Sequence, residues 1–212
     1  MLVVVARQGL EAASLRSVAE QAGLAIGSVR HYVDGHEELI IFAVGELGRR
    51  IRERVWSHAE PILASVAEGG DRAARRRHTV DLLAEWLPLD DMRRDEAALR
   101  HTFAAAARTR PELRPHAEAM REEMASLVAR VLDAARAAGG LPAELDVELE
   151  TVRLCALLDG LSVHPERCSP AMMTAVLERH LDSLGGQRVA SSRSGSRPAA
   201  VRAAATPASK RS

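Results

Sequence analysis

The sequence predicts an all-α protein, and three observations carry that expectation. Ala, Leu and Arg, all strong helix formers, dominate the 212 residues, while aromatic residues make up only 2%. The β-branched residues other than Val that a sheet protein would need are scarce. Apolar residues recur at helical spacing, and capping residues, Gly and Pro punctuate them.

The elements follow in order. Ser14 is placed to cap a helix from Leu15 to Ala22, which Gly23 ends. A short helix spans about Ile26 to Val33, and Asp34-Gly35 is a turn signal. From His36 a long helix carries Ile40, Val44, Leu47, Ile51 and Val55 on one face. It reaches at least Trp56, Pro61 starts or kinks the next turn, and Gly69-Gly70 breaks the pattern. Ala73 to Leu87 reads as a helix stopped by Pro88. Asp90 or Asp91 caps the next helix, which extends to about Arg110, and Pro111 suits a first helical turn. Met120, Met124, Leu127, Val131 and Leu132 mark a further helix closed by Gly139-Gly140. The last two helices run from about Val147 to Val163 and from Ser169 to Leu184.

Composition narrows the function classes. Hydrophobic residues are 47% and charged residues 27%, the balance of a globular chain. No stretch approaches the ~18 apolar residues of a spanning helix, so no membrane partner is expected. Cys155 and Cys168 suggest no disulfide framework and fit two small apolar residues in a reducing cytoplasm. Residues 186–212 hold six basic residues and no acidic one, so the rest of this neutral chain carries −6. That segment, rich in Ser, Ala, Arg and Pro, reads as a disordered basic tail.

Catalytic patterns are missing from the sequence. There is no G-x-S-x-G, HExxH, P-loop or Rossmann fingerprint, so an enzyme is not expected and no cofactor is implied. His164, Cys168 and His180 match no common zinc spacing, and no metal site is expected.

The most informative stretch is Ser14 to Leu39, SLRSVAEQAGLAIGSVRHYVDGHEEL. Two short helices meet at a tight turn with small residues, Ala19 and Gly23, where they must cross closely. Ile26-Gly27-Ser28 opens the second helix with small side chains, as a recognition helix needs at its base-facing end. Ser14, Leu15, Arg16, Val18, Ala19, Ala22, Gly23, Leu24, Gly27, Ser28, Val29, His31, Tyr32, Glu37, Glu38 and Leu39 together resemble the N-terminal domain of TetR-family transcriptional regulators. The resemblance extends to the BetI-like C-terminal domain through Trp86-Leu87-Pro88-Leu89-Asp90-Asp91, Pro111-Glu112-Leu113-Arg114, Ala137-Ala138-Gly139-Gly140-Leu141-Pro142 and Leu157-Leu158-Asp159-Gly160-Leu161.

The resemblance implies a helix-turn-helix DNA-binding domain at 1–45 and a helical ligand-binding and dimerisation domain at 46–185, with the tail at 186–212. It implies a homodimer on a palindromic operator, acting as a repressor and released by a small-molecule effector. A whole first helix precedes the motif in the family, and Met1 to Gln8 supply about two turns of it. At the DNA face the expected contacts are Arg16, Gly27, Ser28, Arg30, His31, Tyr32 and His36, with Arg16 and His36 on the backbone and Tyr32 directing its hydroxyl to a phosphate. In the other half, Trp86, His101, Phe103, Met120, Met124, Leu127 and Cys155 are expected to line a ligand pocket. Trp86 and Phe103 are too few aromatic faces for a quaternary-ammonium cage, which points to a mainly aliphatic ligand. The dense apolar residues of the last two helices exceed what one helical face buries within a monomer, which predicts a dimer.

The motif also departs from the family. Ile26 stands where a cation is frequent, Ala25 where Ser is, Arg30 for an aromatic and His36 for a phosphate-contacting Lys. Residues 1–50 hold five arginines against six carboxylates, so non-specific attraction to DNA is expected to be modest. These departures keep open an alternative: a helical ligand-binding or interaction protein that has lost operator binding.

Overall fold

The computed structural model describes residues 14–23, 25–30, 35–67 and 71–186, and among these there is no strand. Eight α-helices follow one another in this part of the chain: α1 (Leu15–Ala22), α2 (Ile26–Arg30), α3 (His36–Ala67), α4 (Arg72–Ala84), α5 (Asp91–Ala107), α6 (Arg114–Ala137), α7 (Val147–Val163) and α8 (Pro170–Gly186). Short 3-10 turns at Pro111–Leu113 and Pro165–Arg167 lead into α6 and α8. The expected partial first helix at Met1 to Gln8 and the tail from 187 onward lie outside the described residues.

Local chemistry sets the helix ends. Ser14 and Ser17 form a reciprocal capping box: the Ser17 amide donates to Ser14 Oγ and the Ser14 amide to Ser17 Oγ, each at 3.0 Å. Gly23 ends α1 at φ 66°, a left-handed conformation that glycine reaches without a Cβ clash. Asp71, Asp90 and Asp146 accept backbone N–H groups at the starts of α4, α5 and α7.

Two boundaries differ from the sequence expectation. The long helix does not stop or restart at Pro61; α3 runs on to Ala67. Good helix formers flank the proline on both sides, so the loss of one amide donor is absorbed. The α-helix expected to reach Leu87 ends at Ala84. The amides of Glu85, Trp86 and Leu87 then bond three residues back instead of four. Pro88 disfavours helical geometry at the residue before it, and the last turn tightens accordingly.

A continuous stripe on α3 (Leu39, Ile40, Ala43, Val44, Leu47, Ile51 and Val55) is buried. The core continues through Leu82, Leu83 and Leu87, then Leu99 and Phe103 of α5, Leu132 of α6 and Leu154 and Leu158 of α7. Helix α3 packs along α4, α6 along α7, and α8 closes against α4 and α7. The expected boundary at residue 45 falls inside α3, which at 32 residues spans about 48 Å.

Candidate DNA-binding and ligand-binding sites

Helices α1 and α2 pack together at one end of the chain, joined through the Gly23 turn. Ala25, Ile26, Gly27 and Ser28 are all exposed, so the start of α2 faces outward. A Cβ added at Gly27 would meet nothing within 4 Å, which leaves the backbone open to close approach. The Ser28 amide is held by the Ala25 carbonyl at 2.9 Å, leaving its exposed hydroxyl on the outer face. Arg16 is exposed on α1, and half-buried His36 opens α3. Arg30 is the last residue of α2, while His31 and Tyr32 lie outside the described residues.

A cavity of about 400 Å³ opens between α3, α5 and α6. Its apolar wall comes from Ile51, Val55, Trp86, Met120, Met124 and Leu127. Of the residues nominated from sequence, Trp86, His101, Met120, Met124 and Leu127 line it. Phe103 and Cys155 do not: Phe103 is fully buried in the core, and half-buried Cys155 packs against that core from α7. Phe103 lies two residues past His101 on α5, and residues two apart on a helix face different directions.

Behind the lining residues Arg100, His101 and Asp159 lies a polar cluster centred on Ser162 of α7, itself 2% exposed. Its Oγ donates to the Asp159 carbonyl at 2.9 Å, which uses the only hydroxyl proton. Arg100 Nη2 donates to the same oxygen at 2.9 Å, and His101 Nε2 lies 2.8 Å from it. Burial lowers the His101 pKa, the adjacent Arg100 charge lowers it further, and Asp159 opposes both.

That shift has a testable sign. The folded state resists protonating His101, while the unfolded chain takes up the proton near the ordinary histidine value of 6.5. Stability from neutral His101 is complete above that value and declines as pH falls through it toward the lower folded value. His180 of α8 is lowered too, by burial and then by Arg153, against the pull of Glu150. The melting temperature is expected to fall between pH 7 and pH 5, and His101→Gln is expected to shallow that slope in thermal melts.

Arg100 escaped the sequence reading although His101 was named beside it. It is buried at 8% exposure, and its Nη2 also donates to the Trp86 carbonyl at 3.2 Å. The available signal was position: Glu96, Leu99, Arg100, Phe103 and Ala107 form the buried stripe of α5, so two charged residues one turn apart sit where apolar ones belong.

Glu96 belongs to a second polar cluster that ties α3 to the α4–α5 corner. Arg54 of α3 donates to both oxygens of Glu96, at 3.2 and 2.6 Å, and to Glu85 Oε2 at 2.6 Å. Arg93 and His58 approach the other Glu85 oxygen at 3.3 and 3.2 Å. Burial works against the Arg54 charge, yet the bonds to Glu96 and Glu85 outweigh it and raise its pKa. Among the described residues no cluster of His, Cys, Asp and Glu could hold a metal ion, and no helix is long and apolar enough to cross a membrane.

Known proteins share this fold. Residues 74–186 match the family model described as the C-terminal domain of BetI-type transcriptional repressors. The chain is 25% identical over 185 residues to the HTH-type transcriptional regulator PksA of Bacillus subtilis, covering 85% of this chain and 84% of that one. A transcriptional regulator from Rhodococcus sp. Rha1 superposes with a TM-score of 0.67 at 28% identity, over 86% of this chain and 90% of the other. A further Rhodococcus sp. structure, described as a TetR-family transcriptional regulator, gives a TM-score of 0.70 at 22% identity over 87% and 93%. With more than half of its length matching the BetI-type model and a helix-turn-helix at its head, the chain belongs to the TetR family of transcriptional regulators.

Proposed function

We propose that this regulator is a repressor that binds a palindromic operator as a homodimer and leaves it when a small molecule fills the cavity. The observation that carries this reading is the continuity of α3. Its first turns follow the helix-turn-helix, and its middle, through Gly48, Ile51, Val55 and Trp56, forms one wall of the cavity. A ligand that binds better when this wall is displaced shifts the helix and changes the spacing of two recognition helices in a dimer. Half-site spacing on the operator is fixed by the DNA repeat, so a small change in separation is enough to weaken binding.

Dimerisation is supported by the far end of the molecule. Leu149, Val152 and Val163 of α7 and Met172 of α8 are each about half exposed or more, an unusual density of large apolar side chains on neighbouring helices. A two-fold contact through these helices would cover them. Light scattering at micromolar concentration is expected to give twice the 22.9 kDa chain mass, and a monomeric mass would contradict the reading.

The deciding experiment is a mobility-shift titration of the full chain against the gene's own upstream DNA. A specific, salt-sensitive shift is expected. Arg30→Ala is expected to weaken it by about 1–3 kcal/mol, and unchanged affinity would remove Arg30 from the interface. A folded dimer that shifts no specific sequence would favour a helical ligand-binding protein instead.

A further inference from the structure

We infer that the cavity takes an aliphatic carboxylate, with its head group at the Arg100 guanidinium and its chain along the apolar wall. This rests on the reading of the cavity as the effector site and adds the chemical class of the effector.

The first ground is an imbalance of buried charge. Arg54 and Arg100 are both enclosed cations, but their surroundings differ. Arg54 holds two carboxylates, Glu85 and Glu96. Arg100 holds none among the described residues: its Nη2 is engaged by two neutral oxygens, and its buried Nε has no acceptor. A buried guanidinium without a counter-charge is costly, and proteins ordinarily pair it. Glu96, one turn away on α5, makes no hydrogen bond to Arg100; it holds Arg54 through both oxygens and acts on Arg100 only through space. Asp159 acts on Arg100 only through space, which softens the imbalance without a hydrogen bond. Arg100 also lines the cavity, so the missing anion can arrive from outside.

The second ground is the rest of the lining. Five further arginines, Arg52, Arg108, Arg114, Arg121 and Arg130, line the cavity against the three carboxylates of Glu118, Glu123 and Asp159. Even with Arg52 paired to Glu123 at 2.9 Å, the excess is positive, and a concave low-dielectric wall concentrates anions. Ser162, the neutral hydroxyl nearest these groups, is 2% exposed and already has three hydrogen-bond neighbours, so it adds no free hydroxyl to the cavity. The wall beyond is made of Ile, Val, Met and Leu side chains with Trp86, which suits an alkyl chain.

Three probes with one chain length isolate the head group: decanoate, 1-decanol and decyltrimethylammonium. Trp56 and Trp86, the two tryptophans of the chain, both line the cavity and report binding by fluorescence. With the full wild-type chain, decanoate is expected to saturate the signal at a Kd at least about tenfold below the other two. Arg100→Gln is expected to raise the decanoate Kd by at least about tenfold and to leave the decanol value within about twofold. Equal or tighter binding of decanol or the cation overturns the inference, as does no binding of any probe or an unchanged decanoate Kd in a folded Arg100→Gln chain. Should that variant fail to fold, the wild-type comparison still decides. A chain that shifts operator DNA but prefers the cation sinks the carboxylate and leaves the regulator; one that takes decanoate at Arg100 and shifts no DNA does the reverse.

Discussion

Replacing Arg54 by alanine is expected to cost about 3–5 kcal/mol of stability, since breaking one side of a buried ion pair strands the other. Glu96 is 6% exposed and loses both of its hydrogen bonds at once. Glu85, at 8%, keeps Arg93 and His58 and suffers less. The stranded Glu96 carboxylate is then left buried without a partner, which is unfavourable. For a chain of this size the loss corresponds to roughly 6–20 °C in melting temperature. Removing both charges, as in Arg54→Met with Glu96→Gln, is expected to recover at least half of it. Urea denaturation of the three proteins checks the point. A single-variant loss under about 1 kcal/mol would mean that water reaches the cluster and that the pair behaves as a surface bridge.

The same cluster has a place in the regulatory reading. Arg54 lies on α3, the helix that runs from the helix-turn-helix to the cavity wall, and Glu96 lies one turn before Arg100 on α5. Glu96 already acts electrostatically on Arg100. On that reading, an anion arriving at Arg100 would compete for that field and would couple the clamp on α3 to the cavity through one turn of α5.

Much of the fold was readable because its signals are local. Ser14 and Asp90 cap helices where their side chains reach only three residues ahead, and α7 spans Val147–Val163 as expected. The stripe from Ile40 to Val55 is buried as its spacing requires. What escaped was non-local. Arg54 meets partners 31 and 42 residues away, and no spacing rule along one helix identifies them. Arg100 was passed over for the opposite reason: a charged residue reads as surface unless its register on the buried stripe is followed. Pro61 shows the limit of a strong local rule, since a breaker flanked by helix formers on a long packed helix does not break it.

Phe103→Ala is expected to cost about 3–5 kcal/mol, and Phe103→Leu far less. Phe103 has 0% exposure and is the largest of the fully buried side chains among the described residues. It sits on the same stripe of α5 as Arg100 but one turn further on, among core residues rather than on the cavity surface. Truncation removes a ring from a region packed on all sides, and helices joined by long covalent elements cannot close the void completely. The comparison with leucine separates two roles that sequence reasoning had merged. If Phe103 only fills the core, Phe103→Leu keeps decanoate binding within about twofold of the wild type, while Met124→Ala on the cavity wall weakens it by about 1–3 kcal/mol through lost apolar contact. If Phe103 instead touches ligand once the cavity is filled, the leucine variant loses affinity while its stability in urea stays near that of the parent. Measuring stability and affinity on the same three proteins tells these outcomes apart, because a residue that only fills the core acts on stability alone, while Met124, which is in the core cluster and also lines the cavity, acts on both.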